Sequence, residues 1–418
     1  MQFEDFLRSQ KANPSNHFVV GNAAGDADSI ISALTLAYIE SVFGSTSKVP
    51  IVSISEGDLQ TQRPEVSFLF QTLGLDNIAA ESLIFVDDPF IATMQKSKHE
   101  ITLVDHNRVD QEAFQSCKVV EILDHHYDEQ EHKDTCFGDN RRIAFQDDKA
   151  LVASSCTIVA ERLKELAKPP YHSTVATLLL ATILLDSVNM IPAAGKGTPR
   201  DADAIQDLLD NTDWSTISSK KAMEKWWSED SSFPPKTDSK PDTTKIFESL
   251  QAAKFDPVFW KSLSVQDALR LDYKQFAVQK DPETNVAVIG ASSVLISLDD
   301  FSSKEDLFDG IFKYMAEDAS VDFLAVLFFF IDKQTGESRR QLVLCGTKAQ
   351  AETLVDKISN YLLNDEDCKA MLDLKLVDEG ASTCSGNQNV VVKSFEQGNA
   401  KASRKQVAPL LIKFFEKQ

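Results

Sequence analysis

The 418-residue chain has no apolar run long enough to cross a bilayer. Its first residues, Met1-Gln2-Phe3-Glu4-Asp5, carry acids and no basic or apolar leader pattern, so no secretory or transit peptide is read there. Positive charge is scarce: 43 Lys and Arg face 64 Asp and Glu, a formal net charge of −21. That excludes the broad basic surface of a general nucleic-acid binder. It does not exclude an anionic substrate, because a cleft responds to its local field. The six cysteines, Cys117, Cys136, Cys156, Cys345, Cys368 and Cys384, show no metal-site spacing. A chain of this length needs no covalent staples, so reduced thiols and a cytoplasmic location are expected. No aromatic cluster reads as a base-stacking platform. These absences point away from membranes and nucleic acid, and the expected state is a monomer.

What is present is a series of short apolar runs that end in acids. His17-Phe18-Val19-Val20 leads into Gly21-Asn22-Ala23-Ala24-Gly25-Asp26-Ala27-Asp28-Ser29. Small residues mark a tight turn, and Ile30, Ile31, Leu34, Ala37 and Tyr38 then fit one helical face. Leu83 to Val86 ends in Asp87-Asp88, Ile101 to Val104 in Asp105-His106-Asn107, and Val119 to Leu123 in Asp124-His125-His126. Short strands separated by helix-length segments predict a parallel sheet of βαβ units. Ligands of such sheets bind at the carboxyl ends of the strands. N-capping would account for one of Asp26 and Asp28 but not for both beside Asn22.

Two helices add to this set. Ser154-Ser155-Cys156-Thr157 opens one, whose free N–H groups and hydroxyls are suited either to an anion or to simple capping. The other is strongly apolar, from Val175 to Leu185, and runs into Asp186. A carboxylate at the end of such a helix wants a partner or a metal. A polar, Pro-rich stretch covers Ser228 to Thr244. The expected division is a first α/β domain over 1–225, a linker or loop over 226–245, and a smaller C-terminal α/β domain with a mixed sheet over 246–418, with the active site in the cleft between the two domains. Val286 to Ile289, Phe323 to Ile331 and Arg340 to Leu344 read as strands of the second domain. Pro409 predicts that no regular helix runs through Arg404, which leaves Arg404 and Lys405 in a loop or a first helical turn.

Asp26, Asp28, Asp105 and Asp186, with His125 and His126, form the candidate centre. Four converging carboxylates repel one another unless divalent cations neutralise them. Mixed oxygen and imidazole ligands suit magnesium, manganese or cobalt. One carboxylate shared by two ions makes a two-metal centre of the kind used for phosphoryl transfer.

These residues resemble the motifs of the DHH phosphoesterase superfamily. The likeness rests on Asn22-x-x-x-Asp26-x-Asp28, Val104-Asp105-His106-Asn107, Asp124-His125-His126 and Leu185-Asp186. Asp272-Tyr273-Lys274-Gln275-Phe276, the Arg340-Gln341-Leu342-Val343 run and Ser403-Arg404-Lys405-Gln406 resemble second-domain signatures of its pyrophosphatase, exopolyphosphatase and Prune branch, in wording that matches fungal cytosolic exopolyphosphatases. The resemblance implies a first metal on Asp26 and Asp105, a second on Asp28, Asp105, His125 and Asp186, and Asn22 as a further candidate ligand. Asp105 would bridge the ions and take part in catalysis. His126 would face the scissile phosphate as hydrogen-bond donor or general acid. Ser155, Lys274, Arg340, Arg404 and Lys405 would bind phosphates.

The implied activity is hydrolysis of the terminal phosphate of inorganic polyphosphate with two divalent ions, magnesium first and manganese or cobalt as alternatives. Pyrophosphatases of the family have His where this chain has Asn22, and an amide is a poorer transition-metal ligand. Animal Prune relatives have Arg at the place of His126. Inorganic pyrophosphatase stays open as an alternative, as does an exonuclease or cyclic-nucleotide phosphodiesterase. A non-catalytic polyphosphate-binding protein is the reading outside enzymes. Asp87 and Asp88 read as a strand-end turn, and His106 and Asn107 as supports behind the ligands.

Overall fold

The computed structural model describes residues 1–416 except 95–98, 148, 229–231, 279–287, 305–306, 322, 333, 347–348 and 385–387. The chain forms two compact units, Met1–Lys254 and Phe255–Gln418.

The first unit is built on strands β1 (His17–Val20), β2 (Val49–Ile51), β3 (Glu100–Val104), β4 (Lys118–Asp124) and β5 (Arg141–Ile143). They pair in the order β2-β1-β3-β4-β5, and every pair is parallel. The chain leaves β1 toward β2 on one side and returns as β3 on the other. The order therefore reverses between β1 and β3, where the loops that follow the strands diverge and leave a crevice. Asn22, Asp26 and Asp28 follow β1 and Asp105 follows β3, so the acids stand at this switch point.

Helices α1 (Ala27–Val42), α2 (Ser155–Leu166) and α3 (Ser173–Asp186) pack against one another. In α3 every residue from Ser173 to Leu185 is buried. A helix apolar all round belongs inside a core, and its acid therefore ends inside the protein as well. Helices α4 (Pro199–Asn211) and α5 (Thr243–Lys254) complete the layer. The Pro-rich stretch before α5 is tied to this unit where it is described. The Trp227 indole donates to Ser239 O at 2.7 Å, and Trp214 N donates to Thr237 O at 3.3 Å.

The Leu83 to Val86 run differs from expectation. It makes one isolated parallel bridge, Val52 with Phe85, rather than a strand. Val52 N donates to Ile84 O and Val86 N to Val52 O, and no longer ladder forms. Leu83, Ile84 and Phe85 are buried all the same and Val86 is half-buried, so the run reflects burial and not pairing.

The second unit holds β6 (Tyr273–Ala277), β7 (Val288–Val294), β8 (Phe323–Ile331), β9 (Ser338–Gly346), β10 (Leu374–Cys384) and β11 (Gln388–Gln397). The order is β6-β7-β8-β9-β11-β10, with only β7 and β8 parallel. Val286 and Ala287 of the expected strand lie outside the described residues. β8 is an interior strand covered on both faces. Phe323, Ala325 and Leu327 pack into one apolar cluster, and Leu324, Val326 and Phe328 into another. Two covered faces explain a continuous apolar run without alternation.

Helix α6 (Ala349–Asn364) precedes the last element, α7 (Arg404–Glu416), which corrects a second expectation. The helix runs through Pro409. Val407, Leu411, Phe414 and Phe415 are buried in the core beside β8, and this burial outweighs the hydrogen bond that proline cannot make. Arg404 and Lys405 thus lie in a first helical turn.

Candidate metal and phosphate site

The turn after β1 is shaped by close approaches. Gly25 has φ +56, and a Cβ there would lie 2.4 Å from Ile54 Cγ2. At Gly21 a Cβ would stand 2.8 Å from Ser29 O. The turn delivers Asp26 as N-cap of α1, accepting from Ser29 N at 3.0 Å, and places Asp28 in the first turn of that helix. Capping thus accounts for Asp26 alone, and Asp28 has other partners.

Asp28 is held by the start of α2. One carboxylate oxygen accepts from Ser154 Oγ (2.5 Å) and Cys156 N (2.9 Å), the other from Ser155 N (2.7 Å). The α2 N-terminus therefore does bind an anion, and the anion is this side chain. Ser155, expected at the substrate, is fully buried, and its hydroxyl lies 3.5 Å from Asp105 Oδ1.

Asp105 follows β3 with φ 64, a left-handed conformation that Asp tolerates. Its Oδ2 accepts from Asn22 Nδ2 and from Ser29 Oγ, both at 2.7 Å. Its Oδ1 faces His125 Nε2 at 3.2 Å and His126 Nδ1 at 3.6 Å. The Asn22 carbonyl oxygen accepts from Ala24 N (2.9 Å) and Gly25 N (3.2 Å). Asn22 thus turns its amide donor to Asp105 and its one ligating atom to the turn.

Both imidazoles have a defined proton. His125 Nδ1 lies 3.0 Å from Val152 O, which can only accept, so Nδ1 carries the hydrogen. In the neutral ring the Nε2 lone pair then points at Asp105 and, at 3.6 Å, at Asp28 Oδ2. His126 donates from Nδ1 to Asp124 Oδ1 at 2.8 Å, which leaves Nε2 outward. Asp124 is fully buried and saturated: Oδ1 also accepts from His125 N (2.7 Å) and His126 N (3.1 Å), and Oδ2 from Asn107 Nδ2 (2.6 Å). Asn107 also donates to Tyr127 O and accepts from Glu129 N.

The titration of these acids reflects crowding. Burial first, and then the Asp105 charge, raise Asp28 to about 7. Burial and Asp28 push Asp186 well above the usual carboxylate range. Burial works against the ionised form of Asp105 too, but its contacts with His125 and His126 and the Ser29 hydroxyl hold its carboxyl below its ordinary value. Burial opposes ionisation of Asp124 as well, and the bond from His126 keeps it low.

A divalent cation fits this donor set. Ligand atoms of Asp105, His125 and His126 lie within 4.8 Å of one another. Asp186 Oδ2 is buried with no hydrogen-bond partner among the described residues. A lone pair facing two carboxylates, with one oxygen of a third carboxylate unpartnered, is unfavourable until a cation enters.

The second unit holds the expected phosphate-binding cations. Arg340, beside Phe329 across the β8–β9 ladder, stacks 4.6 Å over that ring and donates from Nε to Ala400 O at 2.7 Å. Arg404 donates to Asp272 Oδ1 at 2.6 Å and to the Asp272 carbonyl. Lys274 on β6 and Lys405 are exposed.

The sequence profile of the DHH family, N-terminal domain, matches residues 16–183, and that of the DHHA2 domain matches 248–414. The chain thus carries a stretch that matches the DHH N-terminal domain followed by one that matches the DHHA2 domain. Among its relatives is the mouse protein "Exopolyphosphatase PRUNE1", 28% identical over 98% of this chain and 78% of the relative. A Schizosaccharomyces pombe protein named "Putative exopolyphosphatase" is 27% identical over 96% and 91%. A "Manganese-dependent inorganic pyrophosphatase" of Methanothrix thermoacetophila is 26% identical over 41% of this chain and 48% of its own. Among the described residues no helix is long and apolar enough to cross a membrane.

Several contacts were not readable from the motifs. Ser29, the residue just after the first motif, gave no sign that its hydroxyl would hold Asp105. Ser154, Cys156 and Val152 lie far along the chain from the side chains they orient. Asp87 and Asp88 stand apart from the DHH residues: Asp87 accepts from Glu56 N, and Asp88 pairs with Lys11 at 2.8 Å. His106 Nδ1 lies 2.9 Å from Val104 O.

Proposed function

We propose that this protein is a cytoplasmic exopolyphosphatase that hydrolyses the terminal phosphoanhydride of inorganic polyphosphate and releases orthophosphate. The observation that carries the reading is the His125 lone pair facing Asp105 and Asp28, a constellation that calls for divalent cations. The relatives named as exopolyphosphatases, aligned along nearly the whole chain, supply the substrate class. Asp26 and Asp105 would hold one ion, and Asp28, Asp105, His125 and Asp186 the other, with magnesium favoured over manganese or cobalt. When bound, the ions offset the carboxylate charge, polarise the phosphoryl oxygens and lower the pKa of the attacking water.

The chain's own residues do the rest. Asp124 holds the Nδ1–H of His126 and favours the imidazolium, whose Nε2–H can then donate to the scissile phosphate. Water adds to the terminal phosphorus as the bridging P–O bond breaks, and the shortened polyphosphate leaves. Lys274, Arg340, Arg404 and Lys405 would grip the phosphates that remain.

Phosphate release from long polyphosphate, pyrophosphate and a dinucleotide, compared side by side with magnesium, tests this reading. Polyphosphate should be the best substrate by a wide margin. The Asn22→His variant should narrow that margin toward pyrophosphate and tighten manganese binding, because imidazole is the better ligand. Pyrophosphate or the dinucleotide as best substrate of the parent protein would overturn it.

Replacing both Arg404 and Lys405 by Ala should raise the KM for long polyphosphate about ten- to a hundredfold, the loss expected from one or two charge-assisted contacts. The salt dependence of KM should become shallower, by analogy with counterion release from nucleic acids. Manganese content should not change. An unaltered KM and salt slope would remove both residues from the substrate path.

A further inference from the structure

Asp201, the third residue of α4, is completely buried and unused by the chemistry above. A buried carboxylate needs donors, and this one has them. Ala153 N–H reaches both oxygens, at 3.1 and 2.9 Å. Thr157 Oγ1 donates at 2.6 Å, and Thr198 N at 2.8 Å. The Thr198 and Asp201 side chains also complete a capping box at the start of α4. A cap alone explains the Thr198 bond but not the two bonds into the loop before α2.

The decisive point is which peptide Asp201 holds. The N–H of Ala153 and the C=O of Val152 belong to one peptide group. In a trans peptide the two point in opposite directions. The N–H points at Asp201, and the carbonyl accepts the Nδ1 hydrogen of His125 at 3.0 Å. The result is a chain from a carboxylate through one peptide to an imidazole. Successive hydrogen bonds polarise one another. An anion on the N–H makes the carbonyl a stronger acceptor. A stronger acceptor at Nδ1 makes Nε2 a better electron-pair donor, as a direct carboxylate does for metal-binding histidines. The same loop continues into Ser154, Ser155 and Cys156, whose donors orient Asp28.

We propose that Asp201 is a positioning residue for the metal centre, acting on His125 through the Val152–Ala153 peptide to strengthen its Nε2 as a ligand. The proposal rests on the reading of His125 as a metal ligand. It concerns the ions that value imidazole, so it predicts a selective effect. Manganese and cobalt should depend on Asp201 more than magnesium does.

Asp201→Asn isolates the charge. The amide oxygen can keep the bonds from Ala153 N and Thr198 N, and the amide nitrogen can donate to Thr157 Oγ1, whose hydroxyl hydrogen is free to turn. The test is calorimetric titration of manganese and of magnesium into the full chain, for the parent, Asp201→Asn, His125→Ala and the control Arg200→Ala. Arg200 sits on the same helix but pairs with Glu161. Asp201→Asn should raise the manganese Kd about tenfold or more, with a smaller change for magnesium, and Arg200→Ala should change neither. If Asp201→Asn does not fold, Asp201→Glu, which keeps the charge but moves it, carries the same expectation. Parental manganese affinity in a folded Asp201 variant, or equal losses for both metals, would overturn the proposal. A parent that binds no metal, or His125→Ala with unchanged manganese affinity, would instead overturn the metal reading of His125 and the proposal with it.

Discussion

Asp105→Asn is expected to lower phosphate release from polyphosphate roughly a thousandfold or more, because both ion positions lose the anionic ligand they share. The variant should stay folded. Asn is the other residue that tolerates the left-handed backbone at φ 64, and it has nearly the same volume. Asn22 and Ser29 both donate to Oδ2, so the amide oxygen stays there and the amide nitrogen turns to the Oδ1 side. That side faces His125 Nε2. A donor then replaces an anionic acceptor at the point where ligands converge. Turnover with magnesium, measured beside thermal unfolding and metal stoichiometry, checks this. Near-parental turnover would show that Asp105 is not shared by the two ions.

Asp124→Asn should cost about a hundred- to ten-thousandfold in turnover, as expected when a general acid–base imidazole loses the carboxylate that orients it. The geometry explains why the change is not conservative. Oδ1 of Asp124 accepts three donors, so an amide oxygen must stay there to receive them. The amide nitrogen is then forced toward Asn107 Nδ2, 2.6 Å away, and donor meets donor. Asn107 cannot flip to help, since it donates to Tyr127 O and accepts from Glu129 N. His126 should be left misdirected and without its negative partner. Single-turnover kinetics would show a slower chemical step with polyphosphate binding retained. If binding weakens and the chemical step does not, Asp124 serves the fold and not His126.

The motif residues were legible because local chain rules bring them together. A strand of four or five apolar residues ends at the sheet edge, and whatever follows must turn there. Hence Asp26, Asp105, His125 and His126 could be placed without coordinates. The Leu83–Val86 run shows the limit of that logic, since burial and not pairing made it apolar. Pro409 shows another: a rule about one hydrogen bond yielded to four buried apolar side chains of the same helix. What could not be read were partners set by tertiary approach. Asp28 meets Ser154 across more than a hundred residues, and Asp201 reaches Ala153 with no motif to announce it. Arg404, expected at the substrate, is engaged by Asp272, an acid that the motif contains but whose role it does not reveal.

The interior strand β8 has a consequence for how the second unit is made. Phe-Leu-Ala-Val-Leu-Phe-Phe-Phe-Ile is an uncharged nine-residue segment of high β-propensity, the kind that self-associates when bare. One of its faces is covered partly by Val407, Leu411, Phe414 and Phe415 of α7, which leave the ribosome about ninety residues after β8 begins. During that interval the strand has its early neighbour β7 but not its full cover. Biogenesis of this unit is therefore a race between closure by α7 and pairing with a stranger, and the strand stays open to the stranger until that helix has been made.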